Sequence, residues 1–394
     1  MSAEARHVLL DITRLVGRAG RGPLTGIDRV ERAYLAALVN REGPFMLICR
    51  SPLGHLLFRA DVAPRLLAWI DVPEAKPASL LAALRPLAFA RPSRSGLARV
   101  LVAHAAGGGN YLNVGHANLD AAFLAVLRQV PGLGVTVMIH DTIPLDHPEY
   151  SGDRAPAEFA AKLGAVAAHA DLVLCPSSPV KAGLERWCAG FARTPTIRVA
   201  PLGVAPAPPE PKAIPAWIET DRPYFVTLGT IEPRKNHALL LDIWDGFRMR
   251  LPTGQIPRLF ILGRRGWKNA DVFARLDECA RIGGDIVERA GLPDAAAMAL
   301  LVGARALLAP SRAEGFGLPA AEAAALGVPV LATDLAVTRE ILGAYPVYLP
   351  TADRYAWSVA IETLIGRAAK AAPDPQPLAL AGWAEHFRLV FTMI

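Results

Sequence analysis

The chain is short of cysteine, lysine and uninterrupted apolar runs, and each shortage narrows what it can be. Only four of its 394 residues are cysteine: Cys49, Cys175, Cys188 and Cys279. No two form a C-x-x-C pair and none sits in a Cys/His cluster of zinc-finger spacing, which excludes a disulfide scaffold and a structural zinc module. Such thiols read as buried groups of a reducing compartment. The longest candidate membrane span, Phe316–Thr333, is interrupted by Pro319, Glu322 and Pro329, which argues against a transmembrane helix. The opening MSAEARHVLLD reaches Asp11 after only a few apolar residues and lacks a signal-peptide pattern. The expectation is a cytoplasmic protein, with peripheral attachment to the inner face of the membrane left open. Glycine and proline are frequent but have no fixed period, which excludes collagen-like repeats.

Seven of the 42 basic residues are lysine, and the net charge is +6. With alanine also abundant, the arginine excess reads as genomic base composition. The positive balance suits an anionic small substrate or an anionic membrane as well as nucleic acid. No helix-turn-helix, RNP or aromatic-interleaved basic stretch is present, so nucleic acid is not an expected partner. A hydrophobic content of 52% excludes disorder, and the length points to two domains.

Short apolar runs alternate with helical stretches. Strands are expected at 7–12, 45–49, 99–103, 135–139, 172–175 and 197–200, with helices at 26–39, 158–169 and 179–188. The proline-rich run Pro201–Trp217 cannot continue a helix or a central strand and reads as a linker. The alternation restarts at Tyr224–Leu228 and continues to a second proline-rich break at 372–377. This predicts an α/β chain of two doubly wound, Rossmann-like domains. The first spans 1–205 and takes back a C-terminal helix at 378–394; the second spans 206–377. Ligands of such folds sit beyond the C-terminal ends of the strands, and a cleft between the domains is the expected site.

Four segments carry chemistry. Pro310–Val330, PSRAEGFGLPAAEAAALGVPV, sets Glu314 on a glycine-rich turn and Glu322 eight residues on, inside a helix. Gly315 and Gly317 permit close backbone approach to a ligand, and the helix start near Leu318, beside Phe316, offers N–H groups to an anion. Leu228–His237, LGTIEPRKNH, follows a strand that ends at Gly229. Arg234 and Lys235 side by side match a diphosphate, although two cations in a loop are equally what a solvated turn presents. His140 and Asp141 directly follow the buried strand VTVMI, at the ligand end of a parallel strand. Asp11–Glu31 runs through a Gly/Arg loop into a helix that Thr25 can cap and whose Gly26 admits phosphate. Arg14, Arg18 and Arg21 in that loop suit an anionic acceptor, or else form a basic loop with no ligand.

The E-x7-E block within EGFGLP, followed by EA and GVPV, resembles the signature of retaining GT-B glycosyltransferases of the GT4 family (glycosyltransferase group 1). The EPRKN loop and the HDTIPLDHPEY segment are similar to the corresponding parts of its bacterial mannosyltransferases. The resemblance implies that Glu314 contacts the donor sugar and Glu322 the ribose. It implies that Arg234 and Lys235 hold the diphosphate, and that His140 faces the sugar near the anomeric carbon. Gly26, Gly229, Gly263, Gly315, Phe316, Gly317 and Leu318 would line the donor, and the backbone of Ala290, Gly291 and Leu292 would read the base. Arg14, Arg18, Thr25, His116 (from the YLNVGH segment) and Asp141 would lie on the acceptor side.

It implies transfer of a hexose with retention, from GDP-mannose by preference, with UDP-hexoses and deoxyhexose donors open. The acceptor would be a growing bacterial glycan such as lipopolysaccharide, capsule or a lipid-linked oligosaccharide. No Asp-x-Asp pair is present and the cation pair stands in its place, so neither cofactor nor metal is expected. A nucleotide-sugar epimerase and a non-catalytic nucleotide-sugar-binding protein are the rival readings.

Overall fold

The computed structural model describes residues 7–18, 24–71, 79–104, 108–282, 284–366 and 376–394. Arg21 lies outside them, as do residues 372–375 of the second proline-rich break. The chain divides into two compact units. One contains Met1–Thr142, Ala157–Leu202 and Trp383–Ile394; the other contains Ile143–Pro156 and Gly203–Gly382.

The first unit is built on a seven-stranded sheet: β1 (His7–Asp11), β2 (Phe45–Ser51), β3 (Gly54–Arg59), β4 (Gly109–Asn113), β5 (Leu133–Met138), β6 (Leu172–Cys175) and β7 (Thr196–Val199). Its spatial order is β3-β2-β1-β4-β5-β6-β7, parallel except for the β2–β3 hairpin. Gly54 makes that hairpin possible, with φ of +126° and no room for a Cβ against the Pro92 carbonyl. The second unit carries a six-stranded parallel sheet: β8 (Tyr224–Leu228), β9 (Arg258–Leu262), β10 (Ile286–Arg289), β11 (Leu307–Ala309), β12 (Val330–Thr333) and β13 (Val347–Leu349). Its order is β10-β9-β8-β11-β12-β13. Order reverses between β1 and β4 in one sheet and between β8 and β11 in the other, and such switch points open crevices at the C-terminal strand ends.

Burial explains why these segments became strands and helices. β1, β4, β5 and β9 are buried along almost their whole length, as strands covered on both faces must be. The second unit packs Phe225, Trp244, Phe247, Leu259, Ile261 and Trp357 into one core. Both buried indoles satisfy their N–H, Trp244 on the Pro257 carbonyl at 2.8 Å and Trp357 on the Pro350 carbonyl at 2.9 Å.

Three details differ from the sequence reading. Residues 99–103 belong to a helix, Arg94–His104, in which Leu97 and Leu101 are buried one turn apart. The strand lies instead at β4, GNYLN, whose two asparagines disguise it. Ile143–Pro156, expected in the first domain, packs with the second unit: Trp267 donates its indole N–H to the Tyr150 carbonyl at 2.8 Å, and Lys268 pairs with Asp153 at 2.7 Å. The return to the first unit starts at Trp383 rather than 378. There His386 Nδ1–H donates to the Pro201 carbonyl at 2.7 Å, which leaves Nε2 to accept from the Tyr34 hydroxyl at 2.8 Å.

The parallel strands β8 and β9 end in close backbone approach. A Cβ on Gly263 would lie 1.8 Å from the Gly229 carbonyl oxygen, and Gly229 itself has φ of +131°. Gly263→Ala should therefore cost about 2–4 kcal/mol, as a backbone clash that cannot be relieved by a side-chain rotation. Urea denaturation of the full chain measures this. A midpoint like that of the wild type would mean that the approach is softer than its geometry.

Candidate functional site

In the second unit the loop after β8 and the loop after β11 meet at the switch point. Gly229 donates its N–H to the Leu262 carbonyl and Ile231 to that of Arg264, which turns the first loop across the sheet edge. Asn236, left-handed at φ of 56°, ends the loop and opens the helix His237–Arg250. Asparagine tolerates this conformation better than most residues. The Arg312 N–H donates to the Arg234 carbonyl at 2.7 Å, joining the loops through the main chain. Gly317, at φ of 85°, caps the helix Leu318–Ala325 from the second loop.

These turns converge three charged side chains. Arg234 Nη1 donates to Glu314 Oε2 at 2.7 Å, and Lys235 Nζ to Glu314 Oε1 at 2.5 Å. Arg234 Nε also meets Glu232 Oε1 at 2.7 Å. Burial pushes the Glu314 carboxyl up, but Arg234 and Lys235 outweigh it and hold it at about 2. Burial pulls Lys235 below the usual ammonium range, and Glu314 opposes this most. Lys235 runs over Gly229, its Cε 3.4 Å from where a Cβ would stand. Lys235, Glu314, Ser311 and Gly317 line a small, partly open cleft, with Thr227 and Thr338 also in its wall.

Glu322 is buried on the following helix and is not among the residues that line this cleft. Phe316 is buried and Leu318 half-buried beside Gly317. Gly263 and Ala290–Leu292 stand at the same sheet edge, since the Gly263 N–H donates to the Arg289 carbonyl at 2.8 Å. Glu232 and Ser311 were not singled out from sequence. Glu232 sits in the EPRKN string, but only the fold shows that it grips Arg234.

The first unit builds a second constellation at its own switch point. Asp11, at the end of β1, accepts from the Tyr111 hydroxyl and from Asn118 Nδ2, both at 2.8 Å, and from the Thr13 N–H at 2.9 Å. Burial raises its pKa against those bonds. Asn113, at the end of β4, accepts the N–H groups of Gly115 and His116 through its side-chain oxygen.

His140 and His116 clamp one another. His140 N–H donates to His116 Nε2 at 3.3 Å, and His140 Nε2 meets the Val114 carbonyl at 2.7 Å. A carbonyl only accepts, so His140 carries its proton on Nε2. Burial drives both rings toward the neutral form, His140 to about 4.

Arg14 and Arg18, expected at the acceptor, both bond the fully buried carboxylate of Asp28, at 2.7 and 3.2 Å. Thr25 donates its N–H and hydroxyl to the same Asp28 oxygen. Gly26 is the first residue of the helix Gly26–Val39. Asp141 follows His140 and is half-buried.

Comparison with known proteins adds to this geometry. Residues 212–365 match the family of glycosyl transferases group 1. Over all but a small part of its length the chain superposes on sucrose-phosphate synthase of Thermosynechococcus elongatus: 98% of each chain, 19% identity, TM-score 0.62. It superposes equally on Anabaena HepE, solved in complex with UDP and glucose: 98% of this chain and 99% of that one, 15% identity, TM-score 0.66. The fold is therefore GT-B, and the match to the glycosyl transferases group 1 family lies within its second unit.

Among curated proteins the chain is 30% identical over 217 residues to the serotype-specific mannosyltransferase WbdA of Escherichia coli, across 52% of this chain and 26% of WbdA. It is 37% identical over 124 residues to the O-antigen chain mannosyltransferase B of Escherichia coli, across 30% and 31%. The matches thus span about a quarter to a third of those relatives.

The neutral His140 has a measurable consequence. Its unfolded pKa is about 6.5, so the stability it contributes is complete above that pH and is lost as pH falls toward 4. His140→Asn should flatten the acid limb of the stability–pH curve by roughly 3 kcal/mol between those values. Urea titrations at pH 7, 5.5 and 4 measure it, and parallel wild-type and variant curves would show that His140 is not held neutral.

Proposed function

We propose that the chain is a retaining glycosyltransferase that moves a mannosyl group from GDP-mannose to a growing bacterial glycan, such as lipopolysaccharide, capsule or a lipid-linked oligosaccharide. The observation that carries this reading is the grip of Arg234 and Lys235 on Glu314 at the β8–β11 switch point, where Lys235 and Glu314 line a cleft. The mannosyltransferase relatives support the choice of sugar and of glycan.

In this reading the guanidinium and ammonium stabilise the charge that develops on the departing diphosphate. Glu314 orients the sugar hydroxyls, Glu322 serves the ribose, and His140 lines the reacting face. The bond from the anomeric carbon to the phosphate oxygen breaks as a bond to the acceptor oxygen forms on the same face. The leaving phosphate takes the acceptor's proton, so no carboxylate nucleophile is called on. Arg234 and Lys235 carry the role a cation would otherwise fill. Arg14 and Arg18, committed to Asp28, shape the Thr25 turn that borders the acceptor. The chain works at the inner face of the membrane, where a lipid-linked acceptor is presented.

Lys235→Ala and Glu314→Ala should each lower turnover at least about tenfold, a loss of roughly 1.4 kcal/mol of transition-state stabilisation. Wild-type rates in both would remove these assignments. Thermal shift with GDP, UDP, dTDP and ADP tests the donor. Ligand at 100 times its Kd should add about 2.7 kcal/mol of stability, for GDP selectively. A selective UDP or dTDP response would replace the donor, and proton NMR of the product's anomeric centre tests retention.

A further inference from the structure

The cations expected to hold a diphosphate are already occupied. Arg234 and Lys235 grip opposite oxygens of the one Glu314 carboxylate, and Arg234 also holds Glu232. Two positive and two negative side chains make this cluster neutral in the free chain. Glu314 is at the same time the residue expected to meet the sugar hydroxyls, and both of its oxygens are turned to these cations in the free chain. A diphosphate that enters brings two or more negative charges next to Glu314, and like charges in a partly buried site repel strongly.

We propose that Glu314 is the internal counter-ion of Arg234 and Lys235 in the free chain and yields them only when a hexosyl group offers it hydroxyls, so that the site prefers an intact nucleotide sugar to a bare nucleoside diphosphate. The proposal rests on the donor reading above and adds a selection rule to it.

The local backbone permits the exchange. Glu314 precedes Gly315, and a Cβ on Gly317 would meet nothing within 4 Å, so the turn has space on that side. The loops remain joined through the Arg312 N–H to the Arg234 carbonyl, which does not involve the carboxylate. Glu232 stays on Arg234 through its own oxygen, so that the guanidinium remains aimed while Glu314 turns. Glu232 is thus a positioning residue. The exchange runs in reverse after transfer. Once the hexose has left, Glu314 loses its hydroxyl partners, returns to the two cations and displaces the diphosphate product.

Calorimetric titration of the full chain tests this, with inorganic pyrophosphate, GDP and GDP-mannose against the wild type, Glu314→Gln and Glu314→Asp. Glu314→Gln should bind pyrophosphate and GDP about tenfold more tightly than the wild type, while GDP-mannose gains nothing. The preference for the sugar nucleotide then collapses. Glu314→Asp keeps the charge and should show no gain for GDP, which guards against a fault peculiar to the amide variant.

A Glu314→Gln protein that binds GDP no more tightly would overturn the proposal. So would equal gains for GDP and GDP-mannose, since that is simple charge removal rather than exchange. The pyrophosphate arm does not depend on the base or the sugar. If the wild type takes no GDP-mannose yet Glu314→Gln gains pyrophosphate, the donor reading falls and the counter-ion role stands. If no variant takes pyrophosphate, the counter-ion role falls.

Discussion

The grip of Arg234 and Lys235 on Glu314 is the interaction around which the second unit is arranged. It unites loops that are 79 and 80 residues apart in the chain. They meet because β8 and β11 are neighbours at the point where the strand order reverses. Two adjacent cations repel, and a carboxylate between them makes their packing tolerable in a partly buried place. The surrounding backbone follows from that requirement. Gly229 leaves a path for the Lys235 side chain, Gly263 lets β9 end against Gly229, and Asn236 turns left-handed to begin the next helix at once.

The first unit meets the same topological situation with the opposite chemistry. At its switch point the polar groups are committed rather than exchangeable. Asp11 is enclosed by Tyr111, Asn118 and Thr13, and Arg14 and Arg18 are both committed to Asp28. The His116–His140 clamp is neutral because burial penalises the imidazolium: the neutral His140 ring donates to the Val114 carbonyl, and the neutral His116 ring accepts from the His140 backbone amide. One unit therefore carries a charged cluster beside a cleft, and the other a buried hydrogen-bonding network whose groups are paired with one another.

Much of this was legible in the sequence, for identifiable reasons. The strands of the second unit were readable because β8 and β9 are mostly apolar runs, broken only by Thr227 and Arg258. The E-x7-E spacing and the EPRKN string, through the family resemblance, single out Arg234, Lys235 and Glu314, which the fold brings into contact. Val100 and Val102 suggested a strand where Leu97 and Leu101 actually set a helical period. β4 was hidden because Asn110 and Asn113 are polar, although both are buried. No local signal could show that Arg14 and Arg18 converge on Asp28, or that 143–156 would pack with the second unit, since each depends on residues distant in the chain. The mutual grip of Lys235 and Glu314 was likewise out of reach: the residues were identified, but their pairing is a property of the fold.

That pairing is poorly explained as a device for stability. A partly buried ion pair loses most of its Coulomb gain to desolvation, and is weak evidence of a stabilising role. The second unit already has a core around Trp244 and Trp357, and its two loops are joined through the main chain. Other ion pairs of the same unit, such as Arg248 with Asp285, are not among the residues that line the cleft. Glu314 instead lines the cleft, 13% exposed, within reach of whatever enters. A charge pair that organises two loops but adds little net stability, and that lines a cleft, is one that an entering ligand can take over at little cost to the fold.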